Sequence, residues 1–328
     1  MVLVSGPNGA GKTNLLESLH VGTQGFSPRA RSDAEIIRFG AEAGRVQVAG
    51  SRGEVRFEVN VVLSATDARR AHLNGGVLRS AEQLRHELKT LVFTPDRLAV
   101  VKGGPAARRA YVDRSLGRLF PSRAQLPVDY AAAVGQRNAA LRRVAAGASS
   151  RDALAPWTET VTELGALLVE ARREVLQLLA PAFRECCARL GLEAATLAYD
   201  GDPPSTGELG ARLERDLERG TTGLGPHLHD VRIQSGGRDL RSFGSQGEQR
   251  IAVLGLVLAE AETLAERGTP PLVLLDDVLS ELDEDRRRVL GDLISKVPQT
   301  LVTTTSASSL PTEPAQSLLV RPGEVAPA

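Results

Sequence analysis

Apolar residues open the chain as a short run, Val2–Ser5, which breaks at a Gly-rich turn; the spacing beyond it predicts a helix from about Lys12 to Val21. A polar loop with several arginines follows, Ser27-Pro28-Arg29-Ala30-Arg31-Ser32-Asp33. Apolar and polar positions then alternate in Arg45–Ala49 and Glu54–Leu63, where Val55, Phe57, Val59 and Val61 share a face. Antiparallel strands are expected there, with Asn74-Gly75 as a tight hairpin turn soon after. A helix over 81–89 and a strand over 90–94 come next.

From Pro105 to about Leu192 the period changes. Trp157, Val161, Leu164, Leu168, Ala171, Val175 and Leu178 recur at spacings of four and three, a heptad seam. Tyr130, Val134, Arg137, Leu141 and Val144 show the same spacing, and Gly147-Ala148-Ser149-Ser150 reads as the turn between them. Two antiparallel helices are predicted, the first an arm roughly 30 Å long at 1.5 Å per residue. Pro181 should end or kink the second. Burial of both helices in a bundle is the alternative; their Ala- and Arg-rich outer faces favour a protruding arm.

Strand and helix patterns return after Thr221: strands over 230–234, 272–276 and 300–304, helices over 248–266 and 284–295. The tail beyond Pro311 is expected to be loose apart from a short strand near 318–320. Strand–helix alternation on both sides of a helical insertion implies an α/β sheet domain split by an arm. The expected division is a head of residues 1–104 plus 222–328 and an arm of residues 105–221.

Composition narrows the class. With 42% hydrophobic and 24% charged residues the chain reads as globular rather than disordered. Its longest apolar run, around 251–259, is too short to cross a bilayer, and Met1–Val4 reads into a strand rather than a leader, so a cytoplasmic protein without a membrane partner is expected. The only cysteines, Cys186 and Cys187, are neighbours in a helical pattern and offer neither a disulfide framework nor a zinc site. Residues 1–150 hold 22 Lys and Arg against 12 Asp and Glu, net +10, and the remainder is net −10. A basic half points to an anionic partner, or else to two halves that attract each other. Aromatic residues are only 3%, so contact with nucleic acid would rest on phosphates rather than on stacking.

Gly6-Pro7-Asn8-Gly9-Ala10-Gly11-Lys12-Thr13 fits G-x-x-x-x-G-K-[ST] between an apolar strand and a helix. Such a loop wraps backbone N–H groups around the β-phosphate of ATP, with the helix dipole behind them. Lys12, one of four lysines in the chain, would reach the β- and γ-phosphates, and the Thr13 hydroxyl would ligate Mg²⁺. Leu272-Val273-Leu274-Leu275-Asp276-Asp277 is a buried strand ending in two acids. Asp276 would hold the metal or its water, and Asp277 would orient or deprotonate an attacking water. Ser245-Gln246-Gly247-Glu248-Gln249-Arg250 stands where a helix begins, and Ser245 with Glu248 reads as a capping box. A small Gly-containing turn at a helix start is also a phosphate cradle. One site does not need two cradles for one γ-phosphate, so Ser245–Glu248 would clamp the nucleotide of a partner copy. Ser280-Glu281-Leu282-Asp283 suits a loop crossing that interface.

Taken together, Gly6–Thr13, Ser245–Gln249, Leu272–Asp277 and Ser280–Asp283 resemble ABC-type ATPases of the chromosome-maintenance and DNA-repair branch. Within it the chain is similar to the RecF family. The further blocks that carry this are Thr94-Pro95-Asp96, Lys102-Gly103-Gly104-Pro105 with Arg108-Arg109 and Asp113, Gln136-Arg137-Asn138-Ala139-Ala140-Leu141, and Gly225-Pro226-His227. The resemblance implies an ABC-type head, a mixed sheet with flanking helices carrying a short antiparallel coiled coil. It implies an ATP-driven homodimer on double-stranded, gapped or junction DNA, slow hydrolysis for release, and work with RecO and RecR to load RecA. It also implies strands upstream of Met1, so the head is expected to lack its usual N-terminal strands through truncation or a misplaced start. Glu248 stands where Gln is frequent in the family; against transport ATPases, Val302-Thr303-Thr304-Thr305 stands where a switch histidine would fall, and no Gln stands near Phe93–Asp96, where the RecF family also reads Thr-Pro-acidic.

Other classes fit less well. A phosphate-loop kinase or other monomeric NTPase needs neither Ser245–Gln249 nor an arm, a transporter subunit would carry the missing His and Gln, and a long chromosome tether needs far longer arms. Arg108, Arg109, Arg137, Arg142 and Arg143 are candidate DNA-phosphate contacts, or a solvated helix face. His227 and His229 suit a Gly-Pro-His turn better than a metal site, for want of a third ligand.

Overall fold

The structure, a computed structural model, describes residues 1–30, 32–52, 54–280 and 282–328. Arg31 and Glu281, quoted above, lie outside the described residues, as does the side chain of Asp96. In chain order the strands are β1 (Val2–Ser5), β2 (Ala43–Arg52), β3 (Val55–Ser64), β4 (Arg70–Leu73), β5 (Gly76–Leu78), β6 (Thr90–Phe93), β7 (Ala195–Asp200), β8 (Asp230–Ser235), β9 (Arg238–Asp239), β10 (Leu272–Leu275), β11 (Gln299–Thr304), β12 (Gln316–Arg321) and β13 (Glu324–Pro327). The helices are α1 (Lys12–Gln24), α2 (Ala81–Glu87), α3 (Ala99–Lys102), α4 (Pro105–Leu119), α5 (Leu126–Ala145), α6 (Ala155–Arg189), α7 (Thr206–Ala211), α8 (Leu213–Arg219), α9 (Leu240–Phe243), α10 (Gln246–Glu266) and α11 (Glu284–Ser295). They divide into two compact units: residues 1–98, 189–191 and 253–328, and residues 99–188 and 192–252.

In the first unit a six-stranded sheet runs β13-β12-β1-β11-β10-β6, parallel except for β13 on β12. β1, β6 and β10 are nearly unbroken apolar runs because each is covered on both faces. Register places Ser5 opposite Thr304, Val4 opposite Thr303 and Leu275 opposite Val302, so β1, β11 and β10 end together on one edge. The carboxyl ends of parallel strands are where such sheets hold ligands. An antiparallel sheet, β2-β3-β4-β5, completes the unit. Val59, Val61 and Leu63 of β3 join Val21, Ile37 and Leu84 in its core. The predicted stripe is buried only in this half: β4 pairs with β3 from Val59 to Val62, and Val55 beyond it is 69% exposed.

The second unit holds the sheet β7-β8-β9 and helices α3 to α9. α5 and α6 form the predicted antiparallel pair, with Tyr130 against Gly165 and Arg137 bonded to Thr158. Burial on α6 extends past the seam to Val169, Arg172, Leu176, Leu179 and Phe183, since Arg172 meets Asp113 of α4 and Tyr199 of β7 on another side. Pro181 does not end α6; buried Phe183, Cys186 and Cys187 hold the next turns in place.

Three boundaries differ from expectation: the first junction falls at 98/99 rather than 104/105, which puts α3 in the helical unit. β8 pairs with β7 along all six residues, so residues 222–252 belong with the helical unit and the junction falls at 252/253 rather than 221/222. The tail is not loose at its end, because β13 pairs with β12 from Leu318↔Pro327 to Arg321↔Glu324.

Candidate nucleotide-binding site

β1 delivers the chain into the loop Gly6–Thr13. A Cβ at Gly6 would lie 2.4 Å from the carbonyl oxygen of Val320, so only glycine lets β1 turn against β12. Gly11 caps α1 with φ 106°, a left-handed conformation open to glycine. No side chain caps this helix start and its first turn holds no acidic residue. Its free N–H groups and dipole therefore face outward as an anion site. Lys12 folds back over the loop, its Nζ donating to the carbonyls of Gly6 (2.7 Å) and Pro7 (2.9 Å).

The acids arrive from two strands away. β11 separates β1 from β10, and the Thr13 hydroxyl still donates to Asp276 Oδ1 at 3.2 Å. Asp276 is buried, and the same oxygen accepts the Thr303 hydroxyl at 2.7 Å. Asp277 is exposed and left-handed (φ 51°), with its N–H donating to Thr303 Oγ1 at 2.9 Å. A hydroxyl and a carboxylate converging beside an anion site are the hard oxygen donors that fit Mg²⁺. Ser280 donates to the carbonyl of Asp277 (3.0 Å), and Asp283 caps α11 by accepting from Arg286 N–H (2.8 Å).

One feature escaped the sequence reading. A cavity of about 490 Å³ opens beside α1, walled by Asn14 and Ser18 with Arg29, Ile36, Arg38 and Val46. Its loop wall is fastened to α1 by buried Glu17, which accepts from the Ser27 hydroxyl and pairs with Arg29 at 3.3 Å. The polar, Arg-rich composition of 27–33 was the available signal.

Ser245–Glu248 belongs to the helical unit. The capping box is present: Glu248 N–H donates to Ser245 Oγ (3.2 Å) and Ser245 N–H to Glu248 Oε2 (2.7 Å). Ser245, Gln246 and Gly247 are exposed, while Gln249 is buried and donates to the carbonyls of Leu240 and Gly244. The Ser245 hydroxyl keeps its own hydrogen to donate outward.

The candidate DNA contacts separate into two groups. Arg108 is 3% exposed and grips Asp230 with two bonds of 2.7 Å, while Arg137 is 1% exposed and bonded to Asp216 and Thr222 at 2.9 Å. Both guanidiniums are consumed inside the fold and are withdrawn as phosphate contacts. Arg109 is half-buried on the carbonyl of His229, whereas Arg142 and Arg143 are exposed on α5.

The two histidines are half-buried and bonded to groups of the same unit. His227 Nε2 donates to the Thr222 carbonyl (2.9 Å), leaving Nδ1 to accept from the Tyr130 hydroxyl (2.7 Å). His229 Nδ1 shares a hydrogen bond with the Tyr199 hydroxyl (3.0 Å), whose oxygen also takes a bond from Arg172. Burial first, with Arg172 and Arg109 adding to it, depresses the pKa of both. The fold then binds fewer protons than the unfolded chain, so stability is present above about pH 6.5 and falls as pH drops through that value. Urea midpoints should be lower at pH 5.5 than at pH 7.5, and a double variant, H227N with H229N, should flatten that slope.

Comparison with known proteins follows the same lines. The family model described as the RecF/RecN/SMC N terminal domain matches residues 1–319. A DNA replication and repair protein RecF of Myxococcus xanthus is 37% identical over 328 aligned residues, covering 92% of this chain and 84% of the relative. The structure of a recombination mediator protein, RecF-ATP in the RecFOR pathway, superposes with a TM-score of 0.87 at 27% identity, covering all of this chain and 91% of that one. An Smc head bound to the C-winged helix domain of ScpA shares the fold, with a TM-score of 0.58 at 15% identity. The fold is thus an ABC-type ATPase head.

Proposed function

We propose, for a chain that belongs to the RecF family of DNA replication and repair proteins, an ATP-gated DNA-binding clamp acting in recombinational repair. The observation that carries it is the contact between Thr13 and Asp276, which unites the phosphate loop with a buried acid across an intervening strand.

In this reading the N–H groups of Gly9–Thr13 and the Lys12 ammonium hold the phosphates, and the cavity beside α1 takes the nucleoside part. Thr13 and Asp276 would hold Mg²⁺, which when bound neutralises charge on the phosphate oxygens. Asp277, exposed at the end of β10, orients the water for slow hydrolysis. Ser245–Glu248 of a second copy closes over the nucleotide, with Ser280 and Asp283 at the same interface, so that ATP favours the dimer by mass action. The dimer engages double-stranded and gapped DNA in the cytoplasm, with Arg142 and Arg143 left as the phosphate contacts on α5. RecR and RecO as partners, and RecA indirectly, come with family membership, as in the RecFOR pathway named for the related structure.

Sedimentation with and without ATP–Mg²⁺, alone and with a short gapped duplex, tests this. The wild type should shift from monomer to DNA-bound dimer only with ATP. Ser245→Arg should bind ATP and remain monomeric, because it places a bulky cation where the hydroxyl should meet a partner's phosphate. A wild-type chain that binds ATP and stays monomeric on DNA would overturn the clamp and favour a kinase-like monomer.

A further inference from the structure

We propose that Thr303 is a positioning residue that sets both acids of the site through a single hydroxyl. This rests on the reading of the site as one that binds and hydrolyses ATP with Mg²⁺. Thr303 is fully buried at the carboxyl end of β11, in the strand between the phosphate-loop strand and the acidic strand. Its oxygen donates to Asp276 Oδ1 at 2.7 Å and accepts from Asp277 N–H at 2.9 Å. A backbone N–H can only donate and a carboxylate oxygen can only accept, so the hydroxyl takes the first on a lone pair and spends its one hydrogen on Asp276.

Each bond has a separate consequence. The first holds the Asp276 carboxylate with Oδ1 toward Thr13, which bonds the same oxygen. The second steadies Asp277 in a left-handed conformation that a non-glycine residue adopts at a cost. The side of the pair that would hold metal and the side that would face water therefore turn on one atom. Contrast with transport ATPases marked residues 302–305 only by a missing histidine. A buried threonine in that stretch has a role of its own, carried by the ladder rather than by direct contact with nucleotide.

The test compares the wild-type chain with Thr303→Val, which keeps the shape and removes the hydroxyl, and Thr303→Ser, which keeps it. Nucleotide affinity is measured with ATPγS in EDTA, Mn²⁺ affinity of the ATPγS complex by electron paramagnetic resonance, and turnover in a single-turnover assay. Thr303→Val should leave affinity in EDTA within about twofold, weaken Mn²⁺ binding about tenfold and slow turnover about 10- to 100-fold, the range for residues that orient metal ligands. Thr303→Ser should stay within about threefold of wild type throughout. Wild-type Mn²⁺ affinity and turnover in Thr303→Val would overturn the proposal, as would an equal loss of affinity in EDTA, which marks a general structural defect. If the valine variant fails to fold, Thr303→Cys, whose thiol is a weak donor, makes the same comparison. A wild type that binds Mn²⁺ and ATPγS without hydrolysing ATP refutes the hydrolytic reading alone, and the Mn²⁺ comparison still decides Thr303. A wild type that binds no nucleotide overturns the reading of the site, Thr303 included.

Discussion

Asp216→Ala should destabilise the helical unit by about 3–5 kcal/mol, because it strands Arg137 as an unpaired cation in the interior. Arg137 and Asp216 are each 1% exposed and 2.9 Å apart. The carboxylate also accepts from Gly223 N–H at 3.1 Å, and Arg137 also donates to Thr222 and Thr158. Neighbouring Asn138 accepts from both the N–H and the hydroxyl of Thr222 at 2.7 Å. The pair therefore fastens α5, α8 and the loop after α8 at one point. Thermal unfolding should show a fall in midpoint on the order of 10 °C for a unit of this size. Replacing both partners by apolar residues, Arg137→Met with Asp216→Leu, should recover much of the loss, since what costs most is the charge left alone. A single Asp216→Ala with an unchanged midpoint would mean that water reaches Arg137. Exposed Arg142→Ala, on the same helix, should leave stability within about 0.5 kcal/mol of wild type.

Arg137 also shows what sequence could and could not reveal. It occupies a seam position in the spacing Tyr130, Val134, Arg137, Leu141, Val144, and a cation in a seam is a buried ion pair waiting for its acid. The period was legible; the acid, 79 residues away on α8, was not. Arg108 gave no such hint, and its partner Asp230 lies 122 residues on. Local chemistry was legible where it is compact. The eight residues Gly6–Thr13, the apolar strand before Asp276 and the S-x-x-E cap at Ser245 each state their geometry within one element. Position across a sheet is a different matter. That Asp276 reaches Thr13, and that Thr303 holds Asp276, follows only from the order β1-β11-β10.

Two local readings, a missed strand and an expected helix stop, went wrong for related reasons. β7 reads Ala-Thr-Leu-Ala-Tyr-Asp, in which two alanines and a leucine dilute the strand-favouring Thr196 and Tyr199, and it forms because β8 supplies a full ladder. Pro181 is the converse case, a local helix breaker overridden by burial of the turns beyond it.

Lys12→Ala should abolish nucleotide-driven behaviour while leaving the fold intact. A charge-assisted hydrogen bond contributes about 1.5–3 kcal/mol, and a lysine of this kind bonds two phosphate groups. The gross effect must be discounted, because the ammonium already satisfies itself on the carbonyls of Gly6 and Pro7 and gives up those bonds to reach a phosphate. A net loss of about 3–4 kcal/mol remains, or roughly 100- to 1,000-fold in affinity. The side chain is only half-buried, so stability without nucleotide should stay within about 0.5 kcal/mol of wild type. Titration calorimetry with ATP–Mg²⁺ reads the first quantity and thermal unfolding the second. Lys12→Arg should recover little, since a planar fork does not replace a compact point charge inside a turn closed on its own carbonyls. If Lys12→Ala bound ATP as tightly as the wild type, the uncapped start of α1 would be a glycine turn without a ligand, and the contact between Thr13 and Asp276 would have to be explained by packing alone.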